Sequence, residues 1–259
     1  MVLIKKVVIL IPCYNEEEGI GIVMDLIPKS KLNELGYEAE VLVIDNNSND
    51  RTAEIARIKG AKVINEPKQG KGHAILSGFR NASNDADIIS MIDGDSSYDI
   101  QELPRLIEPL ENNFADVVVG TRLNGKLIFN SMKGFNRIGN WFFTFLARVG
   151  YKTNVTDVCS GFFAWKKCVV DSLVSHLESN GFSIEMEMIA KMSRMGYGCY
   201  SVPITYNPRN GKSSLKPFKD GISILHAWLR NLNWKPETLP EKKNVVFNES
   251  KKTSWFDDV

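Results

Sequence analysis

Three aspartates lie close together in the segment MIDGDSSYD at residues 91–99, where Asp93, Asp95 and Asp99 follow an apolar run. The run, residues 86–92, is typical of a buried strand. Because Asp93 and Asp95 are two positions apart, an extended chain places both carboxylates on one side. Adjacent carboxylates repel each other, which raises one pKa unless a cation lies between them. At this point the segment fits a metal site, the nucleophile of a phosphohydrolase or a solvated turn.

A divalent metal ion relieves this repulsion most directly. Mg²⁺ and Mn²⁺ prefer oxygen ligands, and such ions often bind through one or two carboxylates together with phosphate oxygens. A D-x-D pair alone is weak evidence, because the pattern is common by chance. A phosphohydrolase would place its nucleophilic aspartate after the first strand, whereas this pair follows the fourth apolar run. This position favours a metal site over a phosphohydrolase nucleophile, and Asp99 fits the N-cap of the following helix.

The elements that position the acid pair alternate between strand and helix over the first 120 residues. Apolar runs predict strands at residues 7–12, 39–45, 61–65, 86–93 and 116–121. Helical patterns predict helices at about residues 17–27, 50–59, 72–81 and 100–112. This alternation predicts an α/β fold with a Rossmann-like, doubly wound and mainly parallel sheet. The polar segments CYNEEE, DNNSND and DGDSSYD each follow a strand, so we expect them to meet at the carboxyl edge of the sheet.

The second half of the chain differs in charge and in aromatic content. Residues 121–156 hold six basic and seven aromatic residues but no acid, and residues 188–219 again hold six basic residues and no acid. The patterns predict further strands at residues 155–165 and 198–206, and helices at residues 136–150, 184–195 and 219–232.

Composition limits the class of protein. The chain has 259 residues, of which 43% are hydrophobic and 24% charged, as is typical of a soluble globular protein with a sizeable core. A formal net charge of +1 at pH 7 gives no electrostatic reason to expect a nucleic-acid partner. The four cysteines have no CxxC spacing, which argues against zinc and for reduced thiols in the cytosol. No apolar window of roughly eighteen residues predicts a transmembrane helix.

The first half resembles family 2 glycosyltransferases of the GT-A fold. The similar segments are ILIPCYNEEEGI, VLVIDNNSNDRTAEIA, GKGHAILSGF and MIDGDSSYDIQELPRL, in this order. The resemblance implies a UDP- or GDP-linked nucleotide-sugar donor that is bound together with Mg²⁺ or Mn²⁺. The residues that it implies are Pro12, Tyr14, Glu16, Val43 and Asp45 for the nucleotide, and Asp93, Gly94 and Asp95 for the metal and the diphosphate.

Two further donor-site candidates leave alternatives open. Ser97 stands two positions after Asp95, where many members of the family have Gln, and its shorter hydroxyl reaches the metal either directly or through a water molecule. Lys71 lies in QGKGHA, which lacks the spacing of a phosphate-binding P-loop. It is either a donor contact or only part of a helix start in which glycines allow a tight turn.

The second half is similar to polyprenyl-phosphate glycosyltransferases, the group that contains dolichyl-phosphate mannose synthase and its glucosyl and N-acetylglucosaminyl relatives. The similar segments are VGTRL, FNRIGN, TDVCSGFFAWKK and YNPRNGKSSLKPFKDG. This implies an inverting transfer of N-acetylglucosamine, mannose or glucose to dolichyl or polyprenyl phosphate, which would feed protein or surface glycosylation. With Asp95, the implied catalytic residues are Arg122 and Arg137 at the lipid phosphate, and Arg209 and Lys212 on a mobile loop over the donor diphosphate.

A phosphate acceptor also fits the basic second half better than a neutral glycan does. A sugar hydroxyl needs a general base within reach, whereas a phosphate monoester is already anionic at neutral pH and needs cations to hold it. The acids available in this half are Asp157, which with Ser160 either orders a turn or contacts the acceptor, and those around Glu185 and Glu187.

Three alternatives remain: a family 2 transferase acting on a glycan hydroxyl, a non-catalytic nucleotide-sugar-binding module, and a nucleotidyltransferase.

The resemblance divides the chain by function. Residues 1–120 are the expected nucleotide-sugar-binding half, residues 121–234 the acceptor-binding half of the same domain, and residues 235–259 a polar tail. The aromatic-rich helix at 136–150 either packs in the core or lies at a membrane interface, and a lipid acceptor favours the interface. We therefore expect a cytoplasmic protein that is peripheral on the cytosolic face of the membrane.

Overall fold

Seven strands form one mainly parallel sheet in the computed structural model, which describes residues 4–237. The strands are β1 (Lys5–Cys13), β2 (Tyr37–Asp45), β3 (Lys62–Asn65), β4 (Ile88–Met91), β5 (Val117–Leu127), β6 (Phe163–Lys166) and β7 (Cys199–Tyr206). Their order across the sheet is β3-β2-β1-β4-β6-β5-β7, and β6 runs antiparallel to both of its neighbours. The predicted α/β fold with a mainly parallel sheet is confirmed.

Helices cover both faces of this sheet. They are α1 (Ile20–Asp25), α2 (Lys29–Glu34), α3 (Thr52–Ile58), α4 (Lys71–Asn81), α5 (Leu103–Glu111), α6 (Gly134–Tyr151), α7 (Lys167–Leu173), α8 (Ile184–Arg194) and α9 (Pro217–Asn231). Residues of β1 alternate between the two cores: Val8 and Leu10 share one with α4 and α8, whereas Ile9 shares the other with α1 and α5. Burial on both faces explains why the strands are continuous apolar runs.

Most predicted elements agree with the structure apart from their ends. The main error is the strand predicted at residues 155–165, because only its end belongs to β6. The residues before β6 form a buried loop, in which the Ser160 hydroxyl donates to the Gly120 carbonyl at 2.6 Å. The short helices α2 and α7 are absent from the sequence prediction, since helices of one or two turns depend on tertiary packing more than on a periodic pattern.

Strands of both halves of the chain belong to the same sheet. The predicted border at residue 120 falls inside β5, and β6 and β7 lie on either side of that strand. The two halves therefore remain a functional prediction within one continuous sheet. Of the predicted polar tail, residues 238–259 lie outside the described residues. Among residues 4–237, no helix has both the length and the apolar character needed to cross a bilayer.

The carboxyl ends of β1, β2 and β4 meet at one edge of the sheet. Cys13 at the end of β1 lies beside Asp45 at the end of β2, and Leu10 pairs with Met91 at the end of β4. β5 points in the same direction as β4, because the antiparallel β6 lies between them. The polar segments that follow these strands are therefore brought to one edge, as the sequence predicts.

Candidate active site

The acid pair follows β4 in a tightly packed loop. Gly94 lies against Cys13, and a Cβ at Gly94 would overlap the sulfur atom. Gly161 faces the Asp93 carboxylate so closely that a Cβ there would overlap its oxygens. The Asp95 side chain is only 6% exposed, whereas that of Asp93 is 25% exposed and accessible from the edge of the sheet. Close backbone packing therefore fixes the position of both carboxylates.

Ser97 is fully buried and binds Asp95. Its backbone N–H donates to Asp95 Oδ1 at 3.0 Å, and its hydroxyl donates to the same oxygen at 2.5 Å. Burial, followed by the charge of Asp93, raises the pKa of Asp95 above its ordinary value, against the opposing effect of the Ser97 hydrogen bond. Ser97 thus orients the carboxylate, and its direct contact with a metal stays a prediction. The expected capping role of Asp99 is confirmed, because its carboxylate accepts from the Gln101 N–H at 3.0 Å.

Lys71, the first residue of α4, lies between two carboxylates. Its Nζ is 2.9 Å from Asp93 Oδ1 and 2.7 Å from Glu185 Oε1. Burial lowers the pKa of Lys71, but the charges of Asp93 and Glu185 outweigh this effect and hold the pKa above its ordinary value. Sequence reasoning places Glu185 only among the acids of the second half. It misses this pairing because Lys71 and Glu185 are far apart in the chain.

Arg209, in the loop after β7, binds a second pair of acids. Its guanidinium is 3.0 Å from Glu16 Oε1 and 3.4 Å from Asp95 Oδ2. The next residue, Asn210, donates its N–H to the Asp95 carbonyl at 3.0 Å, so the loop lies on the acid pair. Burial raises the pKa of Glu16 to about 8, helped by Asp95 and opposed by Arg209. Lys212 is exposed on the same loop and forms no ion pair with any residue between 4 and 237.

The predicted nucleotide-binding residues lie at the ends of β1 and β2, with one exception. Pro12 and Tyr14 are half-buried beside Asp45, whose carboxylate accepts from the Ser48 N–H at 3.3 Å. Val43, by contrast, is fully buried in the core between β2 and its flanking helices. Its side chain therefore packs in the core, and a contact of Val43 with a nucleotide, through its backbone, stays a prediction.

Arg122, a predicted acceptor residue, forms a buried ion pair within the protein. Its guanidinium forms a two-pronged ion pair with Asp157, at 2.7 and 2.9 Å, and donates to the Cys159 carbonyl at 2.8 Å. Tyr98 and Tyr206 lie near the guanidinium, at 5.9 and 5.2 Å from their ring centres. Arg122 is only 7% exposed and Asp157 is fully buried, so the ion pair orders this loop. The arrangement favours the turn-ordering interpretation of Asp157, and the contact of Arg122 with a lipid phosphate stays a prediction.

Arg137 is exposed on α6, where it borders a cavity of about 290 Å³. The other residues that line the cavity are Leu123, Asn124, Ile138 and Trp141. A lipid phosphate would require a cation for its phosphate and apolar surface for its first isoprenoid carbons, and Arg137 and the largely apolar cavity beside it supply both. The contact with lipid phosphate itself stays a prediction.

One outer surface of the protein is apolar, and we call it the α6/α9 face. Its exposed side chains are Phe135, Ile138, Trp141, Phe142, Phe145 and Val149 on α6, and Phe218, Ile222, Leu225 and Leu229 on α9. The ring centres of Phe135 and Phe218 are 5.7 Å apart, so the two helices present a continuous surface. The buried side of α6 has only Thr144, Ala147 and Tyr151. The aromatic residues of α6 therefore lie mostly outside the core.

The donor atoms at the sheet edge fit a hard divalent cation. Within residues 4–237, no three His, Cys, Asp or Glu side chains are arranged to hold a metal without other ligands. Asp93 and Asp95 would supply two carboxylate ligands, and phosphate oxygens of a diphosphate would complete the shell. One buried carboxylate oxygen of Glu16 and one of Glu185 have no hydrogen-bond partner among residues 4–237, so acceptor oxygens remain free beside the pair. This chemistry fits Mg²⁺ or Mn²⁺ rather than zinc.

Known proteins resemble the chain over most of its length. The sequence profile of glycosyl transferase family 2 matches residues 8–173. The low-salt glycan biosynthesis hexosyltransferase Agl6 of Haloferax volcanii is 34% identical over 224 residues, 86% of this chain and 53% of the relative. The chain thus spans about half the length of that relative. A dolichyl-phosphate hexose transferase of the same organism is 32% identical over 211 residues, 82% of this chain and 87% of the relative. An undecaprenyl-phosphate mannosyltransferase of Micrococcus luteus is 28% identical over 233 residues, 86% of this chain and 92% of the relative.

Solved structures share the fold. Glucosyl-3-phosphoglycerate synthase from Mycobacterium tuberculosis, in complex with Mn²⁺, UDP and glucosyl-3-phosphoglycerate, has a TM-score of 0.69 at 22% identity. The match covers 90% of this chain and 82% of the synthase. At this level of identity the likeness shows the GT-A fold alone.

Replacing Asp157 with asparagine should lower the free energy of unfolding by about 3–5 kcal/mol, because the buried Arg122 would lose its counter-charge. Urea denaturation measures this loss. The double variant Asp157→Asn/Arg122→Met should recover most of the stability, since neither charge then remains buried. An unchanged unfolding midpoint for the single variant would contradict the structural role of the pair.

Proposed function

This chain belongs to glycosyl transferase family 2, and we propose that it transfers a sugar from a nucleotide sugar to the phosphate of a dolichyl or polyprenyl lipid, with inversion at the anomeric carbon. The donor is UDP- or GDP-linked, and the sugar is N-acetylglucosamine, mannose or glucose. One observation carries the proposal. The acid pair and the acid-free, arginine-bearing helix α6 lie on segments that leave the same edge of the sheet.

On the donor side, Asp93 and Asp95 would hold Mg²⁺ or Mn²⁺. When bound, the metal neutralises the diphosphate and stabilises the nucleoside diphosphate as a leaving group. Lys71 and Arg209 contact the same carboxylates and supply two more positive charges at this place. Fold similarity to a synthase crystallised with Mn²⁺ and UDP supports this assignment.

On the acceptor side, Arg137 would hold the lipid phosphate, and the cavity beside it would take the first isoprenoid carbons. A phosphate oxygen attacks the anomeric carbon in line as the bond from that carbon to the diphosphate oxygen breaks. No proton has to be removed from the nucleophile, because a phosphate monoester is already ionised at neutral pH. The products are a lipid-linked glycosyl phosphodiester and the nucleoside diphosphate.

A transferase that acts on a glycan hydroxyl is the weaker candidate, because it needs a free general base. Asp157 is bonded to Arg122, and Glu185 is bonded to Lys71. Glu187 accepts a hydrogen bond from Lys191 at 2.7 Å and from the Ser179 N–H at 2.7 Å. The acids of the second half that the sequence offers as bases are therefore occupied. The names of two relatives, a dolichyl-phosphate hexose transferase and an undecaprenyl-phosphate mannosyltransferase, further support a phosphate acceptor.

The α6/α9 face would contact the membrane that holds the lipid acceptor. Soluble monomers rarely expose contiguous apolar surface on this scale. Lys133, Arg137, Arg148 and Lys219 lie on or beside the same helices, where cations favour anionic headgroups. The protein would then be peripheral on the cytosolic face, with Arg137 close to the depth of a lipid phosphate.

Replacing Asp95 with asparagine should reduce sugar transfer by at least about a hundredfold, because one of two metal-binding carboxylates and its charge are lost. The measurement is transfer of radiolabelled sugar from UDP- and GDP-sugars to dolichyl phosphate. Excess chelator should abolish wild-type activity, and added Mg²⁺ or Mn²⁺ should restore it. Wild-type turnover by Asp95→Asn would contradict the metal assignment.

Replacing Arg137 with alanine should raise the KM for the lipid phosphate roughly tenfold or more, since a charge-assisted contact with the acceptor is lost. The KM for the nucleotide sugar should change much less. Arg148→Ala is the matched control, because Arg148 is also exposed on α6 but does not line the cavity. Equal changes in the two KM values would remove Arg137 from the acceptor site.

The double variant Trp141→Ser/Phe145→Ser should bind liposomes about tenfold more weakly or worse, because two large apolar side chains no longer enter the interface. Co-sedimentation with vesicles of phosphatidylcholine and phosphatidylserine measures the effect. Ile58→Ser on α3 is the control, since Ile58 is 72% exposed but lies outside the α6/α9 face. If the double variant binds liposomes as tightly as the control variant and the wild type do, the membrane contact lies elsewhere.

A further inference from the structure

Both carboxylates of the acid pair are occupied by cationic side chains of the protein itself. Lys71 Nζ lies 2.9 Å from Asp93, and the Arg209 guanidinium lies 3.4 Å from Asp95. A divalent ion at the pair would have to take the place of these contacts. The two cations are carried by different kinds of element: Arg209 belongs to a loop, whereas Lys71 is the first residue of a packed helix.

We propose that Lys71 neutralises Asp93 before the metal binds, releases Asp93 when the metal binds, and then contacts the diphosphate. Glu185 is the positioning residue that keeps Lys71 in the site throughout. The inference rests on the proposed function, since it assumes a metal-bound diphosphate at Asp93 and Asp95. Beyond that function, the inference assigns a role to Glu185 and states the order in which Lys71 exchanges its partners.

The backbone at Lys71 is too tightly packed to move during such an exchange. Gly70 has a φ of 136°, which favours glycine, and a Cβ there would overlap the Asn180 carbonyl. A Cβ at Gly72 would overlap the Ser179 carbonyl, and the Gly72 N–H donates to the Asn180 carbonyl at 2.9 Å. Any change of partner is therefore a movement of the lysine side chain alone.

Glu185 has the burial and bonding expected of a retaining anchor. Its side chain is 5% exposed, Oε1 pairs with Lys71, and Oε2 is buried with no hydrogen-bond partner in the described part of the chain. If Lys71 moved away altogether, a buried carboxylate would be left without a counter-charge, which is strongly unfavourable. The lysine can release Asp93, because the metal takes over that carboxylate, but Glu185 forms no ion pair with any other side chain of residues 4–237. The exchange is thus confined to one of the two contacts of Lys71.

Charge balance explains why metal and diphosphate should bind together. Asp93, Asp95 and Glu185 face two cations in this site, together with Glu16, whose pKa of about 8 favours its neutral form at pH 7. A metal that binds alone must displace Lys71 and Arg209 from their partners. When a diphosphate binds alone, the same two cations are already paired with carboxylates of the protein. Each ligand therefore removes an obstacle to the other, and their affinities should rise together by the same factor.

Mn²⁺ binding to the intact protein tests the inference without any sugar transfer. Electron paramagnetic resonance of free Mn²⁺ gives the Kd for Mn²⁺ alone and in the presence of saturating UDP or GDP. Lys71→Met should bind Mn²⁺ alone roughly tenfold tighter than wild type, because the competing cation is gone. It should also show a smaller gain in Mn²⁺ affinity from the nucleotide. Lys68→Met is the control, since exposed Lys68 carries the same charge three positions earlier.

The double variant Lys71→Met/Glu185→Gln separates the exchange from general electrostatics and avoids an unpaired buried acid. Its net charge equals that of wild type, so long-range electrostatics predict an unchanged Mn²⁺ affinity. The exchange predicts tighter binding of Mn²⁺ alone, because Asp93 is free. Glu185→Gln alone should weaken Mn²⁺ binding, since Lys71 is then held by Asp93 only. Unchanged or weaker binding by the double variant would overturn the inference while lipid-phosphate transfer by wild type stands. Failure of wild type to bind Mn²⁺ even with UDP and GDP would overturn both the inference and the metal assignment.

Discussion

Negative charge concentrated at a buried edge of the sheet is the constraint on which the rest of this structure depends. Asp93 and Asp95 are held side by side there, next to Glu16, where burial opposes ionisation of Asp95 and Glu16. Lys71 and Arg209, from distant parts of the chain, compensate the pair. An enzyme that binds a metal diphosphate needs such a balance, because the same small volume must accept a divalent cation and the phosphate charges.

Backbone and side-chain contacts hold this balance in place and connect it with the α6/α9 face. The start of α4 rests on the loop before α8 through the bond from Gly72 to Asn180. Glu187 fixes that loop by accepting from the Ser179 N–H, and it also pairs with Arg230 of α9 at 2.8 Å. A continuous set of contacts therefore joins the helix that carries part of the apolar face to the segment that carries Lys71. The donor site and the α6/α9 face are built on the same framework.

The sequence predicts those parts of the candidate site that depend on strand order. It does not predict those that depend on the direction in which a side chain points. Alternating apolar runs and polar strand ends predict the sheet and the meeting of Asp45 with Asp93 and Asp95 at its edge. Arg122 is different, because its N–H and guanidinium both bond to Asp157, and no periodic pattern reveals that this arginine of β5 turns inward. Glu185 likewise gains its place only through tertiary contact with Lys71. The apolar content of residues 155–165 suggests a strand, but residues 155–162 form a loop packed in the core and only residues 163–165 belong to β6.

Phosphorus NMR of the reaction products tests the central claim most directly. The protein would be incubated with a polyprenyl phosphate, a divalent metal and the nucleotide sugar that it accepts. The account predicts that the lipid phosphomonoester signal converts to a phosphodiester signal while nucleoside diphosphate is released in equal amount. Transfer of the sugar with the phosphomonoester signal unchanged would contradict it, as would formation of a lipid diphosphate with release of nucleoside monophosphate.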